Sequence, residues 1–197
     1  MEENFDALEV IARTRGKVKM DDVPTGDRLF LIWGWPTVAF FGLMFVLWHM
    51  LRQDWCLFVW AGIPLVGIPL MVRELRKDRQ RRHMRTISSK TILDYWIFAG
   101  AVCFFGGFAF GFTDLTFVCF YPLIGALIGI GAFITGELAR FRPMIIGGLA
   151  GAAAGIGAFF LQGPLSDWQI LCVAVAALLS LVIPGLLYSR RLKDGVE

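Results

Sequence analysis

Charge is scarce in this sequence, and it is scarcest where a bilayer would forbid it. Only 18% of the 197 residues are Asp, Glu, Lys or Arg, against about 25% in a typical soluble domain. Long stretches contain none. Ionisable groups placed at mid-membrane mark proton relays and ion pathways, so their absence argues against proton-coupled transport, ion pumping and intramembrane proteolysis. There are two histidines, His49 and His83, far apart in the chain, and two distant histidines do not make a metal site. The four cysteines, Cys56, Cys103, Cys119 and Cys172, form no C-x-x-C pair and read as small packing residues. No G-x-S-x-G, H-E-x-x-H or phosphate-loop pattern occurs, which removes the common hydrolase, metalloprotease and nucleotide signatures. We therefore expect no enzyme, no catalytic residue, no metal and no cofactor.

What the chain does have is apolar length. It is 57% hydrophobic, and a run of about 20 apolar residues crosses a hydrocarbon core about 30 Å thick. Such a run must satisfy its own backbone hydrogen bonds, so it is helical. Six runs qualify: residues 30–51, 55–72, 93–112, 117–135, 144–161 and 168–188. The first is too long for a signal-peptide core and lacks an A-x-A cleavage site, so it is expected to be retained. The expected fold is an all-α membrane protein with a cytoplasmic amphipathic segment over 1–28. A six-helix transmembrane domain follows over 29–189, with a basic loop at 73–91, and a basic tail covers 190–197.

The 19 Lys and Arg residues set the threading. Cytoplasmic flanks of membrane helices are enriched in them. All except Arg52 fall in the N-terminal segment, the loops after the second and fourth runs, and the tail. Both termini are thus expected in the cytoplasm. Tryptophan, which favours the membrane interfaces, fits this: Trp33, Trp35 and Trp96 fall at inner ends and Trp48, Trp55 and Trp168 at outer ends.

Three stretches look alike, from Asp54, Asp114 and Asp167. Each opens on Asp, runs through an apolar helix and closes on cations. They read either as three copies of a two-helix hairpin, a parallel repeat, or as ordinary caps, since Asp at a helix start satisfies free N–H groups. If the repeat is real, Cys119 and Cys172 sit at equivalent depths, where a disulfide between them is a remote option.

Residues 144–160 read "MIIGGLAGAAAGIGAFF", ten of them Gly or Ala. Apolar side chains gain little by meeting each other in lipid, and small residues let helix backbones approach. Gly147, Gly151 and Gly155 recur every four residues. Helix 3 has Ala99, Cys103, Gly107 and Gly111, and helix 4 has Gly125 and Gly129. These predict a tight central bundle with helix 5 at its middle, and helices 1 and 6 toward lipid. The same stripes would also serve a homo-oligomer. Pro64 and Pro69 fall inside helix 2, where each removes a backbone hydrogen bond and tends to kink the helix.

Polar groups within the runs are few: Thr37, Tyr121, Thr135 and Ser180. "TILD" at residues 91–94 has capping-box spacing. Glu74 with Lys77 and Glu137 with Arg140 read as helix-surface pairs. The N-terminal "EENFDALEVIARTR" reads as a short amphipathic helix with acidic residues first and arginines last. The basic arm carries Arg76, Lys77, Arg79, Arg81, Arg82 and Arg85. Clustered cations beside a membrane helix attract anionic headgroups; nucleic acid is the lesser alternative.

The N-terminal helix, "LIWGWPT" at 31–37, "GIPLM" in helix 2, "GELARFRPMIIGG" at 136–148 and "VIPG" at 182–185 together resemble a group of small bacterial six-helix inner-membrane proteins. The resemblance covers nearly the whole chain. It implies the architecture and a bacterial inner-membrane setting, and brings no assigned activity or catalytic residues. The expected role is non-enzymatic, engaging a cytoplasmic protein partner or lipid through the two arms. A small transporter or channel for an apolar or small solute is the alternative.

Overall fold

The computed structural model describes residues 26–78, 87–112 and 120–194. All regular structure among them is helical. α1 spans Gly26–Leu51. After a short turn, Asp54–Ala61 forms a 3₁₀ segment that runs into α2, Gly62–Asp78. α3 spans Ile87–Phe112, α4 Phe120–Leu138 and α5 Arg142–Gly157. The last span is α6, Trp168–Ala177, joined through a π-helical turn at Leu178–Val182 to α7, Ile183–Asp194. Six helical stretches are long and apolar enough to cross a membrane, from Arg28–Leu51 through to Trp168–Arg190.

The outer surface agrees with a lipid surround. Phe160 is 82% exposed, Leu65 75%, Phe105 69% and Ile146 68%. Soluble monomers rarely leave large apolar side chains bare in such number.

Prolines mark where the helices change pitch. Pro64 has no N–H, so the Trp60 carbonyl has no α-helical donor four residues on; the 3₁₀ segment ends and α2 begins just before it. Pro64 therefore sits in the first turn of α2, and Pro69 is the one inside it. This corrects the expectation of two interior prolines in a single α-helix starting near Trp55. Pro184 acts likewise: its ring crowds the carbonyl of Ser180, and the backbone widens into the π turn over the preceding residues.

The centre of the bundle differs from the expected one. The last span and α4 are the most enclosed, with 56% of their apolar windows buried, against 17% for the α3 span and 6% for the α2 span. The last span was expected to face lipid because of its bulky residues. Its inward face is in fact small, with Ala174, Ala176, Ala177 and Ser180 all buried. α5 is not the middle of the bundle either. Its flank at Ile146, Leu149 and Ile156 is exposed.

The core falls into two clusters. Near the α1–α6 end it contains Phe41, Met44, Tyr121, Ile124, Ile170 and Val173. Toward the opposite end it contains Phe30, Ala132, Phe141, Met144, Leu181 and Tyr188, with Trp96 packed on it.

Candidate functional site

The small residues form two different contacts. On one flank of α5, Gly148, Ala152 and Gly155 face α4. A Cβ on Gly129 would collide with the Ala152 backbone, one on Gly148 with the Phe133 backbone, and one on Gly155 with the Ala126 backbone. Gly125 completes the seam, its Cβ position 3.0 Å from the Gly155 Cα. On another flank, Gly147 and Gly151 face the π turn. The space beside Gly151 is filled by the Ser180 Oγ, and a Gly147 Cβ would strike the Leu179 carbonyl oxygen. The expected single stripe of Gly147, Gly151 and Gly155 is thus split. Steps of four residues drift by about 40° around a helix of 3.6 residues per turn, enough to carry Gly155 from one neighbour to the other. Within this chain the Gly151 face is occupied by the chain's own last span.

α3 uses its small residues to seat rings. A Cβ on Gly107 would lie 2.5 Å from Trp60, and one on Gly106 would lie 2.6 Å from Phe120. Gly111 is in the last turn of α3.

Polar groups in the apolar layer are satisfied locally; among the described residues no buried side-chain nitrogen or oxygen lacks a partner. Thr37 donates to the Trp33 carbonyl at 2.7 Å, and Thr135 to the Gly131 carbonyl at 2.7 Å. The Trp96 indole donates to the Thr135 hydroxyl at 3.2 Å, and Tyr95 donates to the Leu127 carbonyl at 2.8 Å. These two bonds fix α3 to α4. Ser180 donates to the Gly147 carbonyl at 3.2 Å. Gln169, fully buried, donates to the Leu161 carbonyl at 2.6 Å. Sequence reasoning missed Gln169; the signal was an amide in the first turn of an apolar run, next to a helix end with free carbonyls.

Two further expectations change. "TILD" is no capping box, because α3 begins at Ile87 and Asp94 lies two turns inside it. Asp167 makes no side-chain cap on its own helix. Its carboxylate instead accepts from the Trp48 indole at 2.9 Å and pairs with Arg52 at 2.8 Å. Asp54 and Asp167 also open different structures, a 3₁₀ segment and an α-helix. Cys56, Cys103 and Cys172 carry free thiols, while Cys119 and Asp114 lie outside the described residues. His49 stacks on Phe45, centroids 5.8 Å apart. No group of three potential metal ligands occurs among the described residues.

The feature with most chemical content is one end of the bundle. Glu74, near the end of α2, pairs with Lys77 at 2.8 Å and with Arg28, near the start of α1, at 3.2 Å. The expected Glu74–Lys77 pair therefore forms and gains a third member from another helix. Arg73 and Arg76 are exposed beside them. Arg140, in the turn between α4 and α5, and Arg142 are also exposed. Contacts of Phe30 with Trp96 and of Phe141 with Tyr188, centroids 6.0 and 5.3 Å apart, gather these helix ends together. Arg79, Arg81, Arg82 and Arg85, and the N-terminal segment up to residue 25, lie outside the described residues.

A groove of about 620 Å³ opens between α1 and α2 at this end. Its mouth has Arg28, Arg73 and Glu74, and its wall runs along Leu31, Trp35, Ala39 and Phe40 on α1 and Val66 and Leu70 on α2. Close packing holds the helices at two points beside it: a Cβ on Gly67 would lie 2.9 Å from Trp33, and the Gly62 position is covered by the Phe40 ring.

Comparison of the chain with protein-family models, with curated proteins and with solved structures gave no match in any of the three.

Proposed function

We propose that this chain is a multi-pass protein of the bacterial inner membrane, with both termini in the cytoplasm. Its role is non-enzymatic, and its cytoplasmic arms and the cationic end of its bundle engage a protein partner or anionic lipid. The observation that carries this reading is the polarity of the bundle. Arg28, Arg73, Arg76, Lys77, Arg140 and Arg142 belong to helix ends gathered on one side, whereas the Arg52–Asp167 pair joins the other ends of α1 and α6. Clustered Lys and Arg belong on the cytoplasmic flank of membrane helices and draw anionic headgroups. Duplication of a two-helix hairpin is part of the same proposal, on the strength of the Asp-to-cation pattern in the sequence.

The test is double. An Arg81→Cys variant of the chain, otherwise free of cysteine, is treated with an impermeant maleimide on intact cells; labelling only after permeabilisation supports the threading, and labelling of intact cells overturns it. Detergent pull-down with and without residues 1–25 tests the arm, and an unchanged set of partners counts against it.

The alternative, a small transporter or channel, draws on Pro69 within α2 and on the π turn, since π turns recur at functional sites. The backbone contact at Gly129, Gly148 and Gly155 weighs against a glycine-lined path along the α4–α5 seam.

A further inference from the structure

We propose that the groove between α1 and α2 holds one anionic glycerophospholipid, its phosphate against Arg73 and Arg28 and one acyl chain along the wall toward Phe40. This rests on the membrane reading above and adds a discrete site to it.

Four observations converge on that occupant. The groove has its charge at one end only. Beyond Arg28, Arg73 and Glu74 its lining carries no ionisable side chain. The charge at the mouth is cationic. Glu74 is already held by Arg28 and Lys77, and Arg73 is exposed with no ion pair among the described residues. A guanidinium presents a planar fork of donors that matches phosphate.

The length also fits. From Arg28 to Phe40 on α1 is about 18 Å at 1.5 Å per residue, close to one leaflet of a core about 30 Å thick. Finally, the groove opens sideways. α2 is the least covered span, 6% buried, and Ala39 and Val66 in the wall are exposed. A lipid tail enters from the surrounding hydrocarbon without crossing the bundle.

The test uses the purified full chain, stripped of lipid in mild detergent and titrated with phosphatidylglycerol or phosphatidylcholine, with bound lipid counted by native mass spectrometry. One phosphatidylglycerol per chain is expected, preferred over phosphatidylcholine. Arg73→Gln should cut that preference about fivefold, the worth of one cation near an anionic surface. Ala39→Trp fills the wall from an exposed position, so it leaves folding intact and should lower binding of both lipids. An unchanged thermal midpoint confirms that each variant is folded.

Equal binding of the two lipids, or binding indifferent to both substitutions, overturns the site while leaving the membrane reading intact. Recovery of the chain without detergent overturns both. Lipid binding that appears only after residues 1–25 are removed would make that segment the occupant and overturn the proposal.

Discussion

The carboxylate of Asp167 accepts a hydrogen bond from the indole of Trp48 at 2.9 Å, tying the start of α6 to the last turns of α1 across 119 residues of sequence. Arg52 adds an ion pair to the same carboxylate at 2.8 Å and lies over the Trp48 ring, 5.9 Å from its centroid. The two interactions can be separated. Asp167→Asn keeps an acceptor for the indole and loses only the charge pair, whose exposed arginine makes it worth about 0–1 kcal/mol. Asp167→Ala removes both and should cost about 1–3 kcal/mol. Thermal unfolding in detergent reads the difference, and equal losses would place the energy in the ion pair.

The α4–α5 seam predicts a sharp contrast between glycines. Gly129→Ala forces a methyl against the Ala152 backbone, and overpacking of this kind costs about 1–3 kcal/mol. Gly100→Ala in α3 meets nothing within 4 Å. It should be neutral or stabilising by up to about 1 kcal/mol, because alanine favours the helix over glycine. The thermal midpoint of Gly129→Ala should therefore fall, while that of Gly100→Ala holds or rises.

Gly151 and Ser180 should be coupled. The Ser180 hydroxyl fills the space a Gly151 side chain would need, so Gly151→Ala alone is destabilising. Combined with Ser180→Ala, part of the clash disappears. A double-mutant cycle should show a favourable interaction of about 0.5–3 kcal/mol between the two changes. Strict additivity would mean that the clash is with the Ala176 carbonyl instead, 2.9 Å from the same Cβ position.

Tyr95→Phe deletes the hydroxyl that donates to the Leu127 carbonyl and should cost about 0.5–1.5 kcal/mol. Because this bond and the Trp96–Thr135 bond join α3 to α4, the loss should appear as easier proteolysis near α3. The rest of the bundle should stay protected.

The helices themselves are legible because a long uncharged apolar run satisfies its backbone most readily as a helix; the six runs coincide with the six long apolar helices within a few residues. Their ends were less so. Residues 88–90 are polar yet helical, since a helix emerging from an apolar run needs no further apolar residues to continue, and this defeats a boundary drawn from hydropathy. The partners of Asp167 were not readable, because a carboxylate at a helix start has a good local use as a cap and the competing donors, Trp48 and Arg52, are distant in sequence. Burial of the last span is not legible in bulk averaged around the helix. Ala174, Ala177 and Ser180 form a narrow small face that a whole-helix impression hides. The groove needs the relative placement of α1 and α2, which no single run encodes.

α5 touches backbone on two flanks through its small residues and leaves Ile146, Leu149 and Ile156 exposed on a third. Turning it by even one residue step, about 100°, would drive a branched side chain into a gap that admits no methyl group. The helix therefore has a single angular setting, and it acts as a key that indexes α4 against the final span.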